Sequence, residues 1–349
     1  MTRRRSAALA VLLSLPGVAI VSAQVVQPPY DSSYTVTDLG AVPGLPAPYG
    51  GLTFLPSNSN TIVIGGAANN VSGALYSIGV VRGAGSHITG FTGSVAAYSE
   101  GQYNDGGVVF GPGGVLFYTR YPVNQVGEVK PGSVVNDKIV DLTPLGISSS
   151  VGALNFVPAG FPGAGQLKIV SYNTGDWYTA TYTSDGTGTF NITSPVLNTT
   201  INVGPEGFVY VPPGSPVFPS GTSLLVSEYV NNVVATYQVD GSGNPIPASR
   251  AVFVSGLTGA EGAVIDPVTG DFLFSTFGAA NHVIAVRGFA IPNTPTPGAG
   301  ATATPTPTRT QTPIVSGVPA VVPTLSLPML VLLGVMLAGG AFWMIARRS

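Results

Sequence analysis

The chain has 349 residues, a formal net charge of −2, only 8% charged residues and no cysteine. Disulfides, thiol catalysis, iron–sulfur clusters and c-type haem attachment are thereby excluded. Residues 24–290 carry seven Lys/Arg against fifteen Asp/Glu, a net charge of −8 without basic clusters, which argues against nucleic acid or anionic lipid as a partner.

The N-terminus opens with a basic Arg3-Arg4-Arg5 group and an apolar run from Ala7 to Ile20. Val21-Ser22-Ala23 then offers a small-residue cleavage site before Gln24. This is the pattern of a secretory signal peptide over residues 1–23, and it predicts export of the chain from Gln24 onward.

Residues 24–290 are rich in Gly, Val, Thr, Ser and Tyr, a mixture suited to short strands and tight turns. One pattern recurs five times: a small or acidic residue, a small residue, a short apolar strand, then proline. The copies begin at Gly50-Gly51, Gly106-Gly107, Gly152-Ala153, Glu206-Gly207 and Glu261-Gly262. Their prolines, Pro56, Pro112, Pro158, Pro212 and Pro267, are spaced by 56, 46, 54 and 55 residues. A second apolar strand follows each copy, then a polar loop that usually carries asparagine, then a third and a more variable fourth strand.

Four strands repeating at this interval predict an all-β fold, a β-propeller of five four-stranded blades. A sixth blade is an open alternative in the irregular stretch from Ser86 to Tyr103. The first strand of each blade lines the axis, where the small residue is needed. The fifth copy lacks a fourth strand, and Tyr34–Leu39 is expected to supply it and close the ring. In rhythm the blades resemble those of NHL-type and SMP-30-like propellers.

The repeat makes a spatial prediction. The loop entering the first strand and the loop between the second and third strands share one face. Glu206 and Glu261 then hold equivalent places in adjacent blades near the mouth of the channel. Asn70, Asn124, Asp176, Asn232 and Asn281 come from the second loop, on the same rim. Two carboxylates and several amide oxygens around an axis suit a hard cation such as calcium, with Glu206 and Glu261 as ligands. Asn and Asp also recur in such loops because they accept turn conformations. Trp177, beside Asp176, is the candidate contact residue of an aromatic group that includes Tyr172, Tyr178 and Tyr182. The chain has two histidines, His87 and His282, and no HExxH, G-x-S-x-G or P-loop motif, so the commonest hydrolase and nucleotide signatures are missing.

Residues 291–321 form a Pro/Thr-rich tract that cannot build a core and reads as an extended spacer. Leu325 to Ile345 is a 21-residue run without a charge, long enough as a helix to cross a hydrocarbon core of ~30 Å. Arg347 and Arg348 follow and favour a cytoplasmic C-terminus. Pro323-Thr324-Leu325-Ser326, the apolar helix and the basic pair resemble the IPTL-CTERM sorting signal, a relative of the PEP-CTERM signals. Leu327-Pro328 depart from that pattern. The resemblance implies handling of residues 322–349 by an exosortase-type transpeptidase of a Gram-negative envelope, and engagement of the membrane.

Together these features predict an exported, surface-displayed or released, non-enzymatic binding module of the bacterial envelope or matrix. Extracellular polysaccharide or protein is the expected partner. A metal-dependent hydrolase or lactonase using Glu206 and Glu261, as the SMP-30-like resemblance implies, is the rival. A structural matrix component is the third reading.

Overall fold

Recurring glycine, short apolar runs and proline leave the backbone few options other than strand and tight turn. The computed structural model describes residues 24–292, apart from 203, 220 and 279. The signal-peptide, spacer and sorting-tail expectations lie outside the described residues. Among those described, no helix is long and apolar enough to cross a membrane.

Two short strands come first, β1 (Val25–Val26) and β2 (Thr35–Asp38). Blade one holds β3 (Leu52–Leu55), β4 (Asn58–Gly66), β5 (Ala74–Arg82) and β6 (Ile88–Glu100). Blade two holds β7 (Asn104–Phe110), β8 (Leu116–Arg120), β9 (Gln125–Val129) and β10 (Lys138–Asp141). Blade three holds β11 (Val151–Phe156), β12 (Leu167–Ser171), β13 (Asp176–Ser184) and β14 (Phe190–Thr200). Blade four holds β15 (Pro205–Tyr210), β16 (Ser223–Glu228), β17 (Val233–Gln238) and β18 (Ala251–Ser255). Blade five holds β19 (Val264–Ile265), β20 (Phe272–Ser275) and β21 (Val283–Arg287). Each set is an antiparallel meander, and the molecule is an all-β, five-bladed propeller.

The sixth-blade alternative is corrected. Ser86 to Tyr103 is mostly β6, the long outer strand of blade one, paired along β5 with three register shifts. Those bulges break the two-residue alternation, so the stretch looks irregular in sequence. The N-terminal segment touches two blades. β2 pairs with β21 from Thr35↔Arg287 to Asp38↔Ile284, and β1 lies outside β18 as a fifth strand of blade four.

The inner strands crowd the axis. A Cβ on Gly262 would lie 2.6 Å from the Gly51 Cα, backbone that cannot yield, so the fifth blade meets the first this closely because Gly262 is glycine. Hydroxyls of the second strands tie blades two, four and five to the blade that follows each, Ser227 Oγ donating to Gly262 O in blade five. Thr119 Oγ1 donates to Gly152 O at 2.8 Å, and Ser275 Oγ to Gly50 O at 2.6 Å. Between blades apolar side chains interlock, as where Trp177 packs on Phe208 at 4.4 Å between ring centroids.

Candidate functional site

Three acidic side chains meet at the start of the inner strands. Asp105 is the second residue of β7, Glu206 the second of β15, and Glu261 lies just before β19. One carboxylate oxygen from each falls within 4.8 Å of the others. All three residues are buried, with relative exposures of 0%, 3% and 1%. Asp105 Oδ2, Glu206 Oε2 and Glu261 Oε1 have no hydrogen-bond partner among the described residues. Buried unpaired carboxylate oxygens are costly, more so beside each other.

The local sequence permits this approach at one point in particular. A Cβ on Gly106 would lie 2.6 Å from Glu206 Oε2, so the residue after Asp105 must be glycine for the carboxylate to reach the axis. With its side-chain amide turned so that both ends find partners, Asn69 orients the group, its nitrogen donating to Asp105 Oδ1 at 3.0 Å and to Asn104 O at 3.2 Å.

Burial sets the electrostatics. It pushes the Asp105 carboxyl up to about 8, against the hydrogen bonds that favour the ionised form. Burial raises Glu206 well above the usual carboxylate range, and the Asp105 and Glu261 charges raise it further. Glu261 is raised by burial and then by Asp105. At neutral pH the cluster therefore holds protons unless a cation takes their place.

A cavity of about 230 Å³ opens above the carboxylates, with Glu206 and Glu261 in its lining. Its wall is aromatic: Tyr121, Tyr172, Tyr229 and Phe277, with Asn69 alongside. Tyr121, Tyr172 and Tyr229 each directly follow the second strand of their blade. Each of the four aromatic residues donates its backbone N–H to the loop entering that blade's first strand, at Tyr103, Ser150, Gly204 and Gly259 respectively, over 2.7–2.9 Å. Blade one makes the same bond from Ala67 to Pro46 O at 2.8 Å. Ala67 is thus the fifth equivalent position, and there the aromatic arc is interrupted. Neighbouring rings stand at 5.4, 5.9 and 5.7 Å, with interplanar angles of 70°, 65° and 77°.

Of the residues singled out in sequence, Glu206 and Glu261 converge. The loop residues instead hold loops together. Asn124 is buried; its Oδ1 accepts from Val151 N at 2.9 Å and its Nδ2 donates to Ile147 O. Asn232 Oδ1 accepts from Gly259 N at 2.9 Å, and Asn281 Oδ1 from Tyr49 N at 3.2 Å. In each case the acceptor lies in one blade and the donor leads into the next. Asn124 and Asn232 adopt left-handed backbone, with φ of 53° and 54°. Asn70 donates to Ala68 O within its own turn, and Asp176 accepts from Ser148 and Thr200 hydroxyls.

Trp177 is a correction. It lies in β13 opposite Val170, fully buried between blades three and four, and not on a loop. The strand begins one residue earlier than the polar loop suggests, and alternation turns the indole inward. Of the expected aromatic group only Tyr172 reaches the cavity. Asp105 escaped the sequence pattern because Gly106-Gly107 occupies the Glu-Gly position and the acid stands one residue earlier. A register shift between Asn104 and Val108 in the β7–β8 pairing accommodates that offset.

No family model and no curated protein matches the chain. Solved structures of similar outline include an auxiliary nutrient binding protein from Bacteroides thetaiotaomicron. It is 13% identical with a TM-score of 0.41, over 72% of this chain and 76% of that one. A glucose dehydrogenase gives 12%, 0.40, 70% and 83%. The aldose sugar dehydrogenase of Streptomyces coelicolor gives 12%, 0.36, 71% and 83%. Likeness at this level says nothing of what this chain binds or does.

Proposed function

We propose that the chain is an exported binding module whose axial centre, Asp105, Glu206 and Glu261, holds a hard divalent cation, calcium being the best match. The observation that carries this is the convergence of three buried carboxylates, each with one oxygen that has no partner among the described residues. Oxygen-only ligands and an acidic set suit calcium, which takes six to eight oxygens, so three carboxylates leave positions for water or ligand. The cation would neutralise the cluster and order the mouth of the cavity.

Binding is favoured over hydrolysis by the cavity lining. Its acidic groups are the cation ligands themselves, and its remaining residues are tyrosines, a phenylalanine and an asparagine. Such a lining suits recognition of a ligand.

Export rests on Arg3–Ala23. Anchoring or sorting rests on Pro323, Thr324, Leu325, Ser326, Arg347 and Arg348, which together support a place at the envelope with the propeller outside. We read β2 as the clasp that closes the ring. Thermal melting of the purified chain with and without calcium tests the cation centre, and mass spectrometry of the mature C-terminus tests tail processing. A melting temperature indifferent to calcium, magnesium and manganese would contradict the cation centre.

A further inference from the structure

The wall above the cation centre has a chemistry of its own. Four of five equivalent positions carry an aromatic ring, each held by the same backbone bond, whereas Ala67 leaves a gap beside Asn69. A fold needs only the backbone bond there, as Ala67 demonstrates, so the rings serve something other than closure. They are half-buried, with one side on the cavity. Burial raises the hydroxyls of Tyr121, Tyr172 and Tyr229, and the nearby acids raise them further, so they stay protonated and can donate. None of the three is spent on a hydrogen bond among the described residues.

We propose that Tyr121, Tyr172, Tyr229 and Phe277 form a carbohydrate subsite that stacks a single pyranose ring above the three-carboxylate centre. A sugar ring offers apolar C–H faces to the rings and hydroxyls to the tyrosines and Asn69. The volume of about 230 Å³ suits one ring and not a buried chain. Among the described residues the lining holds no Lys, Arg or His to pair with a carboxylated or phosphorylated sugar, so the ring is neutral. This reading rests on the cation centre only where a sugar hydroxyl fills one of its open positions.

The test is saturation-transfer NMR on the full chain with methyl α-glucopyranoside, methyl α-mannopyranoside and methyl β-galactopyranoside, with calcium titrated in parallel by calorimetry. Transfer to the ring protons of at least one glycoside is expected. Tyr172→Leu and Tyr229→Leu should each weaken it about tenfold and leave the calcium isotherm unchanged. If a leucine variant fails to fold, Tyr229→Phe, which keeps the ring and loses the hydroxyl, should still weaken binding severalfold. No transfer from any of the three glycosides, or unchanged affinity in the folded variants, overturns the proposal. Transfer that persists in chelator, with no calcium isotherm, upholds the aromatic subsite and removes the cation centre.

Discussion

The amide of Gly207 donates to the carbonyl of Glu261 at 2.6 Å, so the peptide following Glu206 is bonded directly to the residue that carries the second glutamate. The two carboxylates are thus set by the meeting of inner strands and not by flexible side chains reaching across a gap. A site fixed in this way cannot relax to relieve repulsion. In chelator near pH 8, Glu206→Gln should therefore stabilise the protein, by roughly 1–3 kcal/mol in urea denaturation. The same variant should lose the response to calcium. Destabilisation of the folded apo protein by this substitution would show that the carboxylate is satisfied in some other way.

The cluster also sets the pH dependence. Asp105 moves from an ordinary value near 3.8 to about 8 in the folded state, so the folded protein binds the proton more tightly. Its contribution to stability is fully present below pH 3.8 and is lost as pH rises toward 8. Glu206 and Glu261 act in the same direction. Without divalent ions, stability should fall as pH climbs from 5 to about 8, and Asp105→Asn should flatten that slope. Saturating calcium holds the ionised form and should remove the decline. Melting curves across pH, with calcium and with chelator, read this directly.

Axial crowding predicts an asymmetry among glycines. Gly262→Ala places a methyl 2.6 Å from the Gly51 Cα, and the cost should be at least about 1–3 kcal/mol. Gly241→Ala meets nothing within 4 Å and should change stability by less than about 0.5 kcal/mol. Equal effects of the two would mean that blades five and one do not meet as described.

Tyr34, just before β2, tests the clasp. It is 2% exposed, packs on Phe289 at 4.5 Å and Phe253 at 5.4 Å, and donates its hydroxyl to Pro216 O at 2.6 Å. Tyr34→Ala should cost about 3–5 kcal/mol, because the side chain joins the N-terminal segment to the apolar face between blades four and five. A loss below about 1 kcal/mol would leave the segment a minor attachment.

The blades were legible because each repeats a small residue, an apolar run and a proline at nearly constant spacing, and axial sterics tolerate nothing larger. Glu206 and Glu261 were legible for the same reason, since they occupy one place in two copies. Asp105 was not, because a local register shift moved it one residue off the repeat. The rim asparagines were located by sequence but their role was not. Asn124 and Asn232 are kept by left-handed backbone and by bonds into the next blade, which look the same in sequence as ligand loops. Trp177 was misplaced because strand alternation cannot be phased from a loop that ends one residue early. The tyrosine arc needed three dimensions, since Tyr121, Tyr172 and Tyr229 become neighbours only when successive blades stack side by side.

The central claim is most directly tested by calcium calorimetry on the full chain and on Asp105→Asn, Glu206→Gln and Glu261→Gln. A single site in the wild type is expected, lost or weakened at least about tenfold in each variant. At 100 times the dissociation constant, calcium should add about 2.7 kcal/mol of stability to the wild type alone. A wild-type isotherm with no binding, or one unchanged by all three substitutions, would contradict the centre.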